Sequence, residues 1–348
     1  AGRLLPLSSH LRRQQKGSVA IVAAKMHVAF LAVATVLLNW PDTSLPMRYI
    51  TGFRSLGMLE RTGVLRDIPR IDPVSVEDLL ATAPAASQAL DKCLPTADAA
   101  HFLLAECHKD LDRGFAGNLM TKGQADSKWG AGRWLPMPRF ETIQANGKHR
   151  PIDDGKRFGH NSASGFDETI ECCSAFQPAV HARAVAQQAV LQDCEEQLSL
   201  QSLETGGEDM PEAYRWVPAD PREGSLNVVA TWPVADDCWM FQEMFGQVFG
   251  RAAAVINFHR IQRLLVAIMR RWLLMLFSMY YDDVSLQDLA AAKGRGQRYV
   301  RALFRVVGLP LQASKQVDLN TNADFLGMNH SVADALKTGQ ILFTPRSQ

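Results

Sequence analysis

Nine residues, Leu273-Leu-Met-Leu-Phe-Ser-Met-Tyr-Tyr281, form an apolar run that stops abruptly at two adjacent carboxylates, Asp282-Asp283. Such a run needs burial. Read as a strand through a core, it delivers both acids to a tight turn at the end of a rigid element. Neighbouring carboxylates repel each other, so their ionised forms favour a divalent cation between or beside them. Two other pairs, Asp153-Asp154 and Asp236-Asp237, show that a bare Asp-Asp carries little by itself and is ordinarily a solvated turn. The buried approach sets this pair apart.

Charge along the chain points the same way. The 348 residues carry a net charge of +1, which excludes a uniformly basic nucleic-acid binder. From Val185 to Glu243, however, twelve acids face two bases, net −10, and from Arg251 to Arg305 ten bases face three acids, net +7. The blocks either compensate each other on the surface or set a cation-binding acidic site beside a phosphate-tracking surface. Hydrophobic content of 47% and charged content of 21% exclude disordered, collagenous and coiled-coil classes. Six cysteines are too few for a disulfide scaffold. Cys93, Cys107-His108 and Cys172-Cys173 lack zinc-ligand spacing and read as free thiols.

The patterning predicts an α+β fold with a helical N-terminal region over residues 1–113. Val28–Leu38 reads as a buried helix ended at Trp40-Pro41, too short to span a membrane. Ser75 caps a short helix with Pro84 at its end, and Ala99–Leu111 is helical. Residues 114–132 read as an irregular, glycine-rich boundary. Beyond it, Arg139–Gln144 and Lys148–Ile152 form a hairpin around Asn146-Gly147. Ala179–Leu198 reads as a helix, and Asn227–Trp232 and Cys238–Phe245 as short strands. Phe249–Leu276 reads as a long helical stretch running into a strand, and Gly296–Val307 as a helix closed by Gly308. The chain starts with Ala rather than Met, which reads as a fragment or processed chain.

Six motifs in one order then carry a family resemblance. Tyr280-Tyr-Asp-Asp283 resembles the Tyr-x-Asp-Asp motif of reverse transcriptases, and Asp209-Met-Pro-Glu-Ala-Tyr214 is similar to their first catalytic motif. Phe249-Gly-Arg-Ala-Ala-Ala254 with Phe258 resembles their Phe-Gly stretch, and Lys148-His-Arg-Pro-Ile-Asp-Asp154 their fingers motif. Gly308 with Lys315, and Phe325-Leu326-Gly327, match the two motifs that follow. The span of 73 positions from Asp209 to Asp282 suits the family, and the likeness covers residues 139–328. The motif forms look most like retrotransposon polymerases of the tyrosine-recombinase (DIRS-like) group.

The resemblance implies a right-hand polymerase: a fingers-like region over 114–205, a palm with an antiparallel sheet over 206–330, and a tail or truncated thumb start over 331–348. It implies an RNA-directed DNA polymerase that transfers nucleotides from dNTPs to a primer 3′-hydroxyl on an RNA or DNA template. Two Mg²⁺ ions, or Mn²⁺, would be held by Asp209, Asp282 and Asp283. By the same carry-over, Lys315 is a general acid for the leaving pyrophosphate, and Arg150 with Lys148 hold the triphosphate. Tyr214 screens the sugar 2′-position, Gly250 leaves space for base and template, and Tyr280 packs near the primer end. Phe325, Leu326 and Gly327 grip the primer. The partners expected are nucleic acid and nucleotide, not membrane, in cytoplasm or nucleus.

Three departures stand against full activity. Ser202–Glu208 is polar and glycine-rich, unlike the apolar strand expected to present Asp209; Pro211 lies inside that motif; and Val255 replaces a usual proline. With the end at Gln348, which leaves no room for an RNase H or integrase domain, they favour an alternative reading. That alternative is a catalytically inactive retroelement remnant that only binds nucleic acid.

Overall fold

The structure is a computed structural model in which residues 4–346 are described. Its fifteen strands among those residues run β1 Gly57–Met58, β2 Arg66–Ile71, β3 Ala116–Met120, β4 Pro136–Ile143, β5 His149–Asp153, β6 Ser164–Thr169, β7 Leu203–Asp209, β8 Val228–Thr231, β9 Met240–Met244, β10 Leu276–Tyr280, β11 Asp283–Leu289, β12 Val317–Asn320, β13 Asn322–Phe325, β14 Met328–Ser331 and β15 Leu342–Pro345. With helices between them and mostly antiparallel pairing, the fold is α+β. The chain divides into two units, one of Ala1–Ala32, Pro41–Ile170 and Tyr214–Arg260, the other of Val33–Trp40, Glu171–Ala213 and Ile261–Gln348.

The first unit holds a five-stranded sheet of order β3-β9-β8-β4-β5 and a three-stranded sheet β1-β6-β2. The β4–β5 hairpin forms where Asn146-Gly147 predicts it, with Gly147 at φ +75°. Alternation along β8 and β9 feeds two cores. Val228, Ala230 and Phe241 pack with Leu79, Leu90, Trp134 and Leu135, while Val229 and Met244 pack with Ala116, Met137 and Val248. The Val76–Ala81 helix is capped by Ser75, whose hydroxyl accepts from the Asp78 N–H, and Pro84 opens the next helix. Residues 114–132 depart from the expected irregular boundary: they form β3 and the Lys122–Trp129 helix. A reciprocal Thr121/Gln124 capping box starts that helix, a local signal strong enough to override two nearby glycines.

The second unit is built on an antiparallel four-stranded sheet, β10-β11-β7-β12, and a three-stranded sheet β13-β14-β15. Its apolar core gathers Ala182, Leu203, Val332, Ala335 and Leu336. The Arg295–Val307 helix buries Val300, Leu303, Phe304 and Val307, and Gly308 closes it at φ +91°. The helix expected over Ala179–Leu198 is two pieces, Gln177–Leu191 and Glu195–Ser199, parted where Asp193 takes φ +51°. The long helix begins at Ala252 and ends at Arg271. By length and composition it is able to cross a membrane, yet 78% of its apolar window is buried inside the protein, as in a core helix.

A buried polar cluster in this unit couples folding to pH. His181 meets Gln287 through Nδ1, and Gln287 donates to Thr205 Oγ1 and Ser285 Oγ at 3.0 Å each. Burial first, with the nearby Arg270 charge, lowers the His181 imidazole to about 4, against an ordinary 6.5. The unfolded chain therefore takes up this proton before the folded one. The unit should lose stability as pH falls from 6.5 towards 4, by an amount on the order of 3 kcal/mol. Denaturant unfolding across this window tests it: the His181→Gln variant should lack that part of the slope, and an unchanged slope would refute the assignment.

Candidate active site

The strand that ends at Asp209 forms despite its polar sequence, contrary to the expectation that Ser202–Glu208 would not supply one. β7 lies between β11 and β12, so both backbone edges are hydrogen bonded. Its two glycines permit the close spacing. A Cβ on Gly206 would stand 2.8 Å from the Val317 carbonyl oxygen, and one on Gly207 2.8 Å from that of Val284. Ladder pairing and close backbone approach thus replace side-chain hydrophobicity as the cause of the strand.

β7 and β11 pair without a register break from Leu203↔Leu289 to Asp209↔Asp283. Directly opposed residues share a face, so Asp209 and Asp283 are cross-strand neighbours. β10 and β11 form a hairpin in which Tyr280 pairs Asp283 across the two-residue turn Tyr281-Asp282. Tyr281 takes φ +51°, a left-handed conformation that costs a tyrosine about 1 kcal/mol. The turn is held from two sides. Met210 N–H donates to the Asp282 carbonyl at 3.2 Å, and Gln262 Nε2 donates to the Met279 and Tyr281 carbonyls at 3.0 and 3.4 Å.

Lys315 closes this end of the sheet. It ends the short 3-10 turn Ala313–Lys315, and its Nζ donates to Asp209 Oδ1 at 2.7 Å. The Asp209 carbonyl accepts from the Gln312 N–H at 2.8 Å. Asp209 is 7% exposed, and its other carboxylate oxygen, Oδ2, is buried without a hydrogen-bond partner. An orphaned anionic oxygen in a buried site is costly unless a cation or donor reaches it. The oxygen-only donor set suits a hard cation such as Mg²⁺ or Mn²⁺. Among the described residues, no group of three or more His, Cys, Asp or Glu side chains is gathered so that it could hold a metal ion. In this structure Asp209 and Asp283 are paired by backbone register, and the cationic charge at Asp209 is the Lys315 ammonium.

Phe325 is buried at the end of β13, and Leu326-Gly327 turn the chain into β14 with φ of +50° and +76°. Two successive positive φ values make a type I′ hairpin turn, and a Cβ on Gly327 would touch nothing within 4 Å, so conformation alone accounts for that glycine.

The remaining sequence-predicted residues belong to the first unit. Lys148 and Arg150 are exposed on the β4–β5 hairpin, Arg150 Nε lying 3.4 Å from Gln144 Oε1. The Tyr214 ring stands 5.5 Å from those of both Phe249 and Phe258, edge-on to the latter. Gly250 joins the two motifs that flank it in space: Asp153 N–H donates to the Phe249 carbonyl at 2.7 Å, and a Cβ on Gly250 would fall 1.9 Å from the Asp153 carbonyl oxygen. The space beside Gly250 is thus taken by the protein's own backbone, a reason for glycine independent of any ligand.

Behind this junction lies a charge network that the sequence does not announce. Arg139 Nε donates to Asp153 at 2.7 Å and its Nη2 to Asp110 at 3.0 Å; Arg215 bonds Asp110 at 3.1 Å and Asp153 at 3.3 Å. The four residues are scattered over a hundred positions, and no local pattern links them. Two members of the basic stretch are structural as well. Arg251 donates to the Leu226 and Ser55 carbonyls, with burial lowering its guanidinium to about 10, and Arg260 forks onto Asp42 at 2.7 and 2.8 Å. The expected phosphate-tracking surface is therefore narrower than the count of ten bases suggests. No protein-family model matches the chain, and no curated protein shows significant similarity to it.

Proposed function

We propose that the protein is an RNA-directed DNA polymerase of reverse transcriptase type, with a right-hand fold whose palm sheet is β10-β11-β7-β12. The register that makes Asp209 and Asp283 direct partners carries the reading, because it brings two separately recognised motifs to one strand end. Asp209 and Asp283, with Asp282 beside them, would hold the metal. When bound, Mg²⁺ supplies charge neutralisation at the transferring phosphoryl group and acidifies the primer hydroxyl.

The protein's own groups account for the rest. The paired strands hold the acids rigidly, which limits reorganisation during transfer. Lys315 places its Nζ 2.7 Å from Asp209 Oδ1, where it would neutralise that carboxylate or donate to a leaving pyrophosphate. Tyr214, braced by Phe249 and Phe258, has the rigidity that steric rejection of a 2′-hydroxyl requires. Lys148 and Arg150 offer exposed positive charge for a triphosphate. A second reading, nucleic-acid binding without catalysis, is favoured by one observation: Lys315 already satisfies one oxygen of Asp209.

Primer extension with dNTPs and Mg²⁺ on RNA and DNA templates separates the two. The first predicts extension that falls at least about a thousandfold in an Asp282→Ala, Asp283→Ala variant that still binds template. Binding with no extension above that variant selects the second reading, and neither binding nor extension rejects both.

A further inference from the structure

The Arg295–Val307 helix carries four arginines and no acid. Its buried side is Gly296, Gln297, Val300, Leu303, Phe304 and Val307. At 3.6 residues per turn, Arg295, Arg298, Arg301 and Arg305 fall on an arc of about 120° on the opposite side. Arg295, Arg298 and Arg305 are exposed and have no carboxylate partner among the described residues. Arg298 Nη1 donates to the Lys293 carbonyl at 2.8 Å, which ties its exposed guanidinium to the helix start. Tyr299, 41% exposed, flanks the stripe.

Arg301 locates the stripe relative to the acids. It bonds Glu208 at 2.8 Å, and Glu208 immediately precedes Asp209 on β7. Successive strand residues point to opposite faces, so the helix covers the face of the sheet away from Asp209 and Asp283. Gly296 N–H donating to Asp288 Oδ2 agrees, since Asp288 lies an odd number of residues from Asp283 on β11.

We propose that this stripe is a second nucleic-acid contact, a phosphate-binding surface on the reverse face of the sheet. The ten residue steps of helix from Arg295 to Arg305 set guanidinium groups along about 15 Å, a length that follows a polyanion rather than a single ion. A membrane surface suits the helix poorly, because its apolar side is buried in the protein and unavailable for insertion. An exposed tyrosine beside arginines suits single strands, whose bases stack on aromatic rings. The inference does not rest on the polymerase reading, since it concerns the other face and applies equally to a chain that binds without catalysis.

The test uses the full chain and a labelled single-stranded oligonucleotide, in EDTA, by fluorescence anisotropy over a salt series. Replacing Arg295, Arg298 and Arg305 together by Gln should weaken binding at least tenfold at low salt. It should also lower the slope of log affinity against log salt by about 2, as loss of three phosphate contacts requires. Unfolding midpoints should be unchanged, since the three side chains are exposed. Arg66→Gln, at an exposed arginine outside the helix, should keep the wild-type slope. Equal affinity and slope in wild type and triple variant would overturn the proposal. So would stripe-dependent binding to phosphatidylserine vesicles or to polyglutamate with none to the oligonucleotide.

Discussion

Gly250→Ala should unfold the first unit or leave it barely stable. The added Cβ would sit 1.9 Å from the Asp153 carbonyl oxygen and 3.0 Å from its carbon, both backbone atoms with no side-chain freedom to yield. Gly250 also takes φ +128°, a conformation L-residues rarely adopt. Asp153 is unable to retreat cheaply. Its N–H is bonded to Phe249, its carbonyl accepts from Gly155 at 2.8 Å, and its carboxylate is locked between Arg139 and Arg215. A loss of roughly 4 kcal/mol or more is expected, in the range reached only by backbone strain or core disruption. Gly147→Ala is the matched control in the same unit, because its Cβ meets open space and only the left-handed φ of +75° is penalised, at about 1 kcal/mol. Urea unfolding followed by the buried Trp134 reports on the first unit directly. If Gly250→Ala unfolds within about 1 kcal/mol of wild type, the close approach is not a constraint.

Arg139→Met should be nearly as damaging. The Arg139 side chain is fully buried, and it is the shared partner of Asp153, itself 1% exposed, and of Asp110. Removing it leaves two buried carboxylates to one remaining cation, Arg215, and uncompensated buried charge costs about 3–5 kcal/mol. Adding Asp153→Leu to Arg139→Met should recover much of that loss by restoring one anion per cation. A double variant no more stable than the single one would contradict this account. The same network gives an acid limb. Burial opposes ionisation of Asp110, yet Arg215 and Arg139 outweigh it and hold its carboxyl below the ordinary 3.8. Its stabilisation is present above that value and drains away as pH falls through the lower folded-state value. His181 acts earlier, between pH 6.5 and about 4, and so does His160 of the first unit, which burial and then the Arg251 charge lower to about 3, so both units should lose stability before the Asp110 limb is reached.

Several parts of the fold were legible because their causes are local. The Asn146-Gly147 hairpin, the Ser75 cap, the Gly308 stop and the Tyr280–Asp283 hairpin each depend on residues within a few positions of one another. β7 was misread for the opposite reason. Leu203–Asp209 has no strand pattern, and it is a strand because β11 and β12 supply partners that lie about eighty and over a hundred positions later. The Lys122–Trp129 helix was hidden by glycines at its flanks, although its Thr121/Gln124 box was there to be read.

The candidate site divides along the same line. By itself the sequence determined which acids stand out, because a buried apolar run ending in Asp282-Asp283 and the ordered motifs around it are matters of residue type and spacing. Only the tertiary structure decided that Asp209 is the direct partner of Asp283, that Lys315 sits on Asp209, and that Arg251 and Arg260 are structural while Arg295, Arg298 and Arg305 face outward. Charge and hydropathy are properties of single residues. Which carboxylate meets which cation, and which arginine is buried, follows from strand register and helix rotation, which the packing of distant segments sets.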